Sequence, residues 1–178
     1  LGQYTLLAEL GRGGMGTVYR ARHALLRRPT AVKVLQSDRV TEEALARFER
    51  EVRVTSELTH PNTIAIYDFG RADGGVFYYA MELLEGIDLD VLVALEETLP
   101  VGRAMRLVLQ AAGSLREAHE RGLVHRDVKP ANLVVSRRGG IPDFVKVLDF
   151  GLAKDRADTD ATKLTGQNAM VGTPLSPS

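Results

Sequence analysis

Over its first stretch the chain alternates apolar and polar positions, in the manner of half-exposed strands. Tyr4-Thr5-Leu6-Leu7-Ala8-Glu9-Leu10 leads into a glycine cluster, Gly11-Arg12-Gly13-Gly14-Met15-Gly16, and Thr17-Val18-Tyr19-Arg20-Ala21-Arg22 alternates again. Arg27-Arg28-Pro29 reads as a turn and Thr30-Ala31-Val32-Lys33-Val34-Leu35 as the next strand. The pattern predicts antiparallel strands punctuated by glycine, rather than a strand running into a helix. Within the third strand, period 2 puts Ala31, Lys33 and Leu35 on one face. Val32 and Val34 fall on the other, where they are expected to supply the core.

The period then changes. Leu45, Phe48, Val52 and Thr55 recur at helical spacing, which predicts a helix over 41–59, stopped by Pro61. Thr63–Asp68 and Val76–Leu83 read as two strands joined by the hairpin signal Asp73-Gly74-Gly75. From Gly86 onward the chain turns helical. Leu89–Glu97 is a short helix candidate. Residues 101–121 form a longer one, with Met105, Val108, Leu109, Ala112 and Leu115 as its apolar face and Gly122 closing it. Two short apolar strands follow, Leu133–Val135 and Val145–Leu148. Beyond Lys154 the chain is polar and rich in Thr, Asp and Gly, and reads as a long loop.

Composition narrows the classes. The 178 residues carry 23 Lys+Arg against 23 Asp+Glu, so a nucleic-acid-coating role is not expected. No cysteine is present, which excludes a disulfide scaffold, a thiolate zinc site and a cysteine nucleophile. No apolar run approaches the 18 or so residues of a membrane span. No signal peptide is seen, and a cytoplasmic location is expected. The first residue is Leu1, which suggests a chain cut from a longer one.

Four separated signals carry chemistry. Gly11-x-Gly13-x-x-Gly16-x-Val18 lets backbone amides approach phosphate oxygens. Dinucleotide-binding folds share this spacing, and Asp38 stands formally where their acidic residue falls, but their fingerprint opens a helix and Thr17–Arg22 alternates like a strand. A ligand-free glycine hairpin is the plain alternative. Lys33 is either a solvated edge charge or a point cation beside small Ala31, in reach of a phosphate. Glu51 flanks the buried helical stripe; it is one more surface glutamate unless a partner such as Lys33 claims it. The fourth signal is His125-Arg126-Asp127-Val128-Lys129-Pro130-Ala131-Asn132, followed by Asp149-Phe150-Gly151. A hairpin of the two short strands brings Asp149 beside Asn132. A carboxylate with an amide oxygen suits magnesium, and Asp127 remains to accept a proton from a hydroxyl.

Taken together and in this order, the set resembles the serine/threonine protein kinases. The matching residues are the glycine loop, Ala31-Val32-Lys33, Glu51, His125-Arg126-Asp127 with Asn132, and Asp149-Phe150-Gly151-Leu152-Ala153-Lys154. His60-Pro61-Asn62 and Ala118-His119-Glu120-Arg121-Gly122 resemble the bacterial, Hanks-type branch. The resemblance implies an α+β, protein-kinase-like fold. Residues 1–84 would form a small antiparallel lobe with one helix, and 85–178 the front of a mainly helical lobe, cut within the activation segment.

The resemblance also implies roles. Leu10, Gly11, Arg12, Gly13, Gly14, Met15, Gly16, Thr17 and Val18 would cover ATP, with Ala31 beside the adenine. Lys33 would hold the α- and β-phosphates and pair with Glu51. Met81 would back the adenine pocket, Glu82 and Leu84 would offer it backbone hydrogen bonds, and Asp88 would lie near the ribose. Asp127 would be the catalytic base, Lys129 would support the transferred phosphate, and Asn132 and Asp149 would bind Mg2+. Thr173, in Gly172-Thr173, would contact Asp127. Thr165, then Thr162, are candidate phosphorylation sites whose phosphate would meet Arg126. Protein Ser/Thr hydroxyls would be the substrates, and the parent protein would be cytosolic or anchored with this domain in the cytosol. After Gly172-Thr173-Pro174 the family's aromatic residue and Pro-Glu pair are replaced by Leu175-Ser176-Pro177-Ser178. A nucleotide-binding module without efficient turnover is therefore the competing function. A small-molecule phosphotransferase is a third.

Overall fold

The computed structural model describes residues 1–13, 16–35, 42–72 and 75–150. Five strands, β1 (Tyr4–Gly13), β2 (Gly16–His23), β3 (Pro29–Leu35), β4 (Ile66–Arg71) and β5 (Phe77–Glu82), form an antiparallel sheet in the order β1-β2-β3-β5-β4. The helix α1 (Glu42–Ser56) lies between β3 and β4 in sequence. A second, three-stranded sheet joins β6 (Gly86–Asp88), β7 (Leu133–Arg138) and β8 (Ile141–Val147), with α2 (Leu89–Glu96) and α3 (Val101–Glu120) between β6 and β7. At the glycine cluster β1 and β2 pair antiparallel, with Gly11 opposite Val18 and Gly13 opposite Gly16. That agrees with the alternating pattern and not with a dinucleotide fingerprint. Strand β6, which the hydropathy pattern does not signal, is only three residues long.

Both faces of the five-stranded sheet carry a buried cluster. Val32 packs with Tyr4, Ala21, Tyr78 and Ala80. Leu35 packs with Phe77 and Tyr79 against Phe48 and Val52 of α1. Val32 and Val34 supply core as expected, and the opposite face is covered as well: Lys33 lies on the helix-covered face and is itself buried. The predicted α1 stripe holds, since Phe48, Val52 and Thr55 are all buried. Glu42 and Glu43 in the first turn and Arg53 in the last suit the helix dipole. The helix ends at Ser56, earlier than predicted. There the Thr55 and Ser56 hydroxyls donate back to the carbonyls of Glu51 and Arg53. Beyond them, the amides of Thr59 and His60 donate to the Glu117 carboxylate of α3.

The predicted face of α3 needs a larger correction. Its buried residues are Leu107, Ala111, Ser114 and Ala118. Met105, Val108 and Leu109 are 58%, 60% and 67% exposed. The helix carries two apolar faces, and β8 covers the one containing the small residues Ala111, Ser114 and Ala118, which permit close approach. The end of α3 is as expected: Gly122 sits at φ +73 and its amide donates to the carbonyl of His119 at 2.9 Å.

The segment after α1 stitches the two sheets together. Asn62 Nδ2 donates to the Val145 carbonyl at 2.7 Å and to Gln110 Oε1 at 3.0 Å, and the Thr63 and Ser114 hydroxyls bond at 2.7 Å. The Ile64 amide donates to the Val147 carbonyl at 3.0 Å. This is why regular strand β4 starts at Ile66 and not at Thr63. Beneath the end of β5, Lys146 Nζ stands 2.5 Å from Glu82 Oε1 and donates to the Thr63 carbonyl at 2.8 Å. Arg138 holds the other Glu82 oxygen at 2.9 Å. Burial pulls the Lys146 ammonium below its ordinary range, against the opposing pull of Glu82.

Candidate active site

The register of β3 on β5 sets the centre of the site. Lys33 stands directly opposite Tyr79, so both side chains leave the same face of the sheet. Both reach Asp149, which follows β8. Lys33 Nζ donates to Asp149 Oδ1 and Oδ2, each at 2.9 Å, and the Tyr79 hydroxyl donates to Oδ1 at 3.1 Å. Burial, followed by the Asp149 charge, pushes the Tyr79 phenol well above its ordinary range. Asp149 sits at φ +51, a sparsely populated backbone region for a residue with a Cβ. Phe150 is buried next to it, its ring 4.9 Å from that of His125.

The loop after α3 folds around Asp127. Asn132 Nδ2 donates to the Asp127 carbonyl at 2.8 Å and to Asp127 Oδ2 at 3.2 Å. Lys129 Nζ lies 2.8 Å from the same Oδ2. A single 3-10 turn over Pro130–Asn132 sets this geometry. The Leu148 amide donates to the Asn132 carbonyl at 2.9 Å, and a ring nitrogen of His125 bonds the Leu148 carbonyl at 2.8 Å. The β7–β8 hairpin thus brings Asn132 and Asp149 together, as their positions in the sequence suggest.

Glu51 departs from expectation. The ion pair expected between Lys33 and Glu51 is absent among the described residues. Lys33 is turned to Asp149, and Glu51 Oε1 lies 3.6 Å from an Arg126 guanidinium nitrogen. Burial raises the Glu51 carboxyl above its usual range, with the nearby Arg126 charge acting against it. A half-buried carboxylate takes the cation within reach, and α1 presents it to the loop that carries Arg126 and Asp127. Arg126 is also at positive φ, +61.

The other predicted positions lie along the strands and at the start of α2. Leu10, Gly11, Arg12 and Gly13 are exposed along the β1–β2 hairpin, with Arg12 in an ion pair to Glu9, while Thr17 is buried and Val18 partly so. At Gly16, a Cβ would lie 2.1 Å from the Val34 carbonyl oxygen, so the hairpin closes on β3 only with glycine there. Ala31 is buried opposite Met81 in the ladder. The Glu82 amide donates to the Ala65 carbonyl at 2.9 Å. Leu84 is partly exposed just beyond β5. Asp88 caps α2, its Oδ1 accepting from the Val91 amide at 2.8 Å. Gly14, Met15, Thr162, Thr165 and Thr173 lie outside the described residues, as does the polar stretch beyond Phe150.

The donor set fits magnesium. Among the described residues no cluster of three or more His, Cys, Asp or Glu side chains makes a metal cage. Magnesium needs none: one or two protein oxygens plus phosphate oxygens and water suffice. Asn132 uses its amide nitrogen on Asp127, which leaves its amide oxygen as the ligating end. The Asp149 side chain is 38% exposed. Tyr79 is not signalled by the sequence, because only its register opposite Lys33 brings it to Asp149.

A glycine-rich strand pair, a buried strand lysine, an Asp-Lys-Asn loop and an aspartate beyond a hairpin stand together on this two-sheet fold. The chain belongs to the protein kinase family, whose domain model matches residues 4–175. It is 44% identical over 174 residues to the serine/threonine-protein kinase pkn3 of Myxococcus xanthus, a match covering 97% of this chain and 32% of that protein. It is 39% identical over 175 residues to PknB of Mycobacterium leprae, covering 96% of this chain and 27% of that one. The chain thus spans about a third or less of the length of these relatives. The crystal structure of the Mycobacterium tuberculosis PknI kinase domain is similar in fold, with a TM-score of 0.75 and 37% identity, over 85% of this chain and 61% of that one.

Proposed function

We propose that this chain carries the nucleotide and catalytic machinery for ATP-dependent phosphoryl transfer to Ser or Thr hydroxyls of proteins. The observation that carries the reading is the joined pair of clusters: Asp127 with Lys129 and Asn132, and Asp149 with Lys33, linked through the Leu148–Asn132 backbone bond. In this reading Asp127 accepts the proton of the attacking hydroxyl at a carboxylate oxygen. Lys129, beside it, offsets charge on the phosphoryl group in flight. Lys33 turns from Asp149 to the α- and β-phosphates, and the hairpin amides near Gly11 and Gly13 cover them. Ala31 and Met81 flank the adenine, which hydrogen-bonds the backbone of Glu82 and Leu84. Asp88 reaches the ribose with the oxygen its cap leaves over. Asn132 and Asp149 would hold magnesium, which neutralises phosphate charge when bound. Since this chemistry needs ATP, the site works in the cytosol. Thr165, then Thr162, are the proposed phosphorylation sites, where a phosphate would compete with Glu51 for Arg126.

The direct test is magnesium-dependent transfer of phosphate to a generic protein substrate, with Asp127→Asn as the control. Transfer by the wild type no greater than by that variant would sink the reading. A second reading, nucleotide binding without efficient turnover, is favoured by one observation: Lys33 and Glu51 are each engaged elsewhere. It expects ATP affinity that weakens in Lys33→Met, with no transfer above the Asp127→Asn background.

A further inference from the structure

Tyr79 has no place in the scheme above, yet its geometry ties it to the site. Its side chain is 1% exposed, and its ring lies between Phe48, 5.9 Å away, and the Lys33 ammonium, 6.0 Å away. Among the described residues its hydroxyl has one recorded acceptor, Asp149 Oδ1. A buried hydroxyl left without a partner carries the full cost of its desolvation. Asp149 therefore cannot swing clear of β5 without stranding that group.

The two carboxylate oxygens are not equivalent. Oδ1 accepts from both Lys33 and Tyr79, whereas among the described residues Oδ2 accepts from Lys33. When Lys33 moves to a phosphate, Oδ2 is released and Oδ1 is still held. We propose that Tyr79 is a positioning residue, whose hydroxyl pins Asp149 by Oδ1 and leaves Oδ2 for the metal. This rests on the phosphoryl-transfer reading, which assigns Asp149 to magnesium. The pin also opposes the positive-φ backbone at Asp149, which would otherwise favour relaxation of the Leu148–Phe150 turn.

Two readouts test it in the Tyr79→Phe variant, which keeps the ring and its packing. The first is amide hydrogen exchange in protein free of nucleotide and metal; exchange at residues 148–150 should quicken by about tenfold, the scale of one lost hydrogen bond to a charged group. The second is calorimetric ATP affinity with and without magnesium. The gain that magnesium confers should shrink by about three- to tenfold, while metal-free affinity stays within about twofold. In an Asp149→Asn background Tyr79→Phe should add no further change, as expected if it acts through that carboxylate. Tyr78→Phe, on the opposite face of β5 beside Ala80 and Val32, should leave both readouts as in wild type. An unchanged or larger magnesium gain in Tyr79→Phe overturns the inference, as does unchanged exchange. If the wild type itself shows no magnesium gain, the phosphoryl-transfer reading falls, and that result is visible before any variant is made.

Discussion

The five-stranded sheet and α3 solve the same packing problem differently. Each face of the sheet carries its own buried cluster, and α1 covers the one that holds Lys33. Helix α3 buries a face of small residues under β8 and presents Met105, Val108 and Leu109 outward. The strands of the sheet are braced on both sides. The Asp127 loop instead follows a helix that buries one face, and that helix is tied to the segment after α1 by polar bonds from Glu117, Gln110 and Ser114 to His60, Asn62 and Thr63. Under the proposed function the sheet governs binding and the loop governs turnover, and the two can be perturbed separately.

The sharpest separation is at Asp127. Asp127→Asn should lower the rate of phosphate transfer by about 100- to 10,000-fold while ATP affinity, measured by calorimetry, stays near wild type. A parallel loss of affinity would show that the two regions are not separable. Next comes the bond between them. Lys146→Met takes from the buried Glu82 carboxylate its buried cation, leaving the Ala65 amide and Arg138 at the rim, and should cost about 3–5 kcal/mol in urea denaturation. Adding Glu82→Gln should recover part of that loss; no recovery would argue against an ionic cause. The two faces of α3 give the third comparison. Leu107→Ala should cost about 2–5 kcal/mol and Leu109→Ala no more than about 0.5 kcal/mol, by the same denaturation. Equal costs would mean that the outward face is covered.

The smallest effect is a pair of opposite pH slopes. At Glu117 burial pushes the carboxyl up, but the hydrogen bonds from Thr59 and His60 together outweigh it and hold the group below its usual range. Its contribution is present above the ordinary carboxylate range and is lost as pH falls through the lowered value. At Glu51 burial raises the carboxyl, so its contribution is present at lower pH and is lost as pH rises through the raised value. Urea midpoints followed between about pH 3 and about pH 7 should flatten on the acid side in Glu117→Gln and on the rising side in Glu51→Gln. Slopes of the same sign would exclude this assignment.

Periodicity made much of the fold legible. The alternation of Thr17–Arg22 identified the glycine hairpin, and the 3- and 4-residue spacing of Leu45, Phe48, Val52 and Thr55 identified the buried side of α1. It failed on α3, because both of its faces are apolar and hydropathy cannot say which one a neighbour covers. The meeting of Asp127, Lys129 and Asn132 was legible because the three are local in sequence. The partners of Lys33 and Glu51 were not. They depend on strand register and helix placement, which residue spacing does not give. Tyr79 reads as an ordinary strand aromatic for the same reason.

The pairing of Lys33 with Tyr79 also has a consequence for how this site tolerates change over generations. Strand faces are assigned by parity, so one residue inserted or deleted inside Thr30–Lys33 would exchange the lysine for a valine facing the helix. The same insertion in the turn at 24–28, between β2 and β3, leaves the parity of β3 against β5 untouched. Length variation among descendants of this chain should therefore gather in that turn and avoid the strand a few residues away, whatever happens to individual side chains.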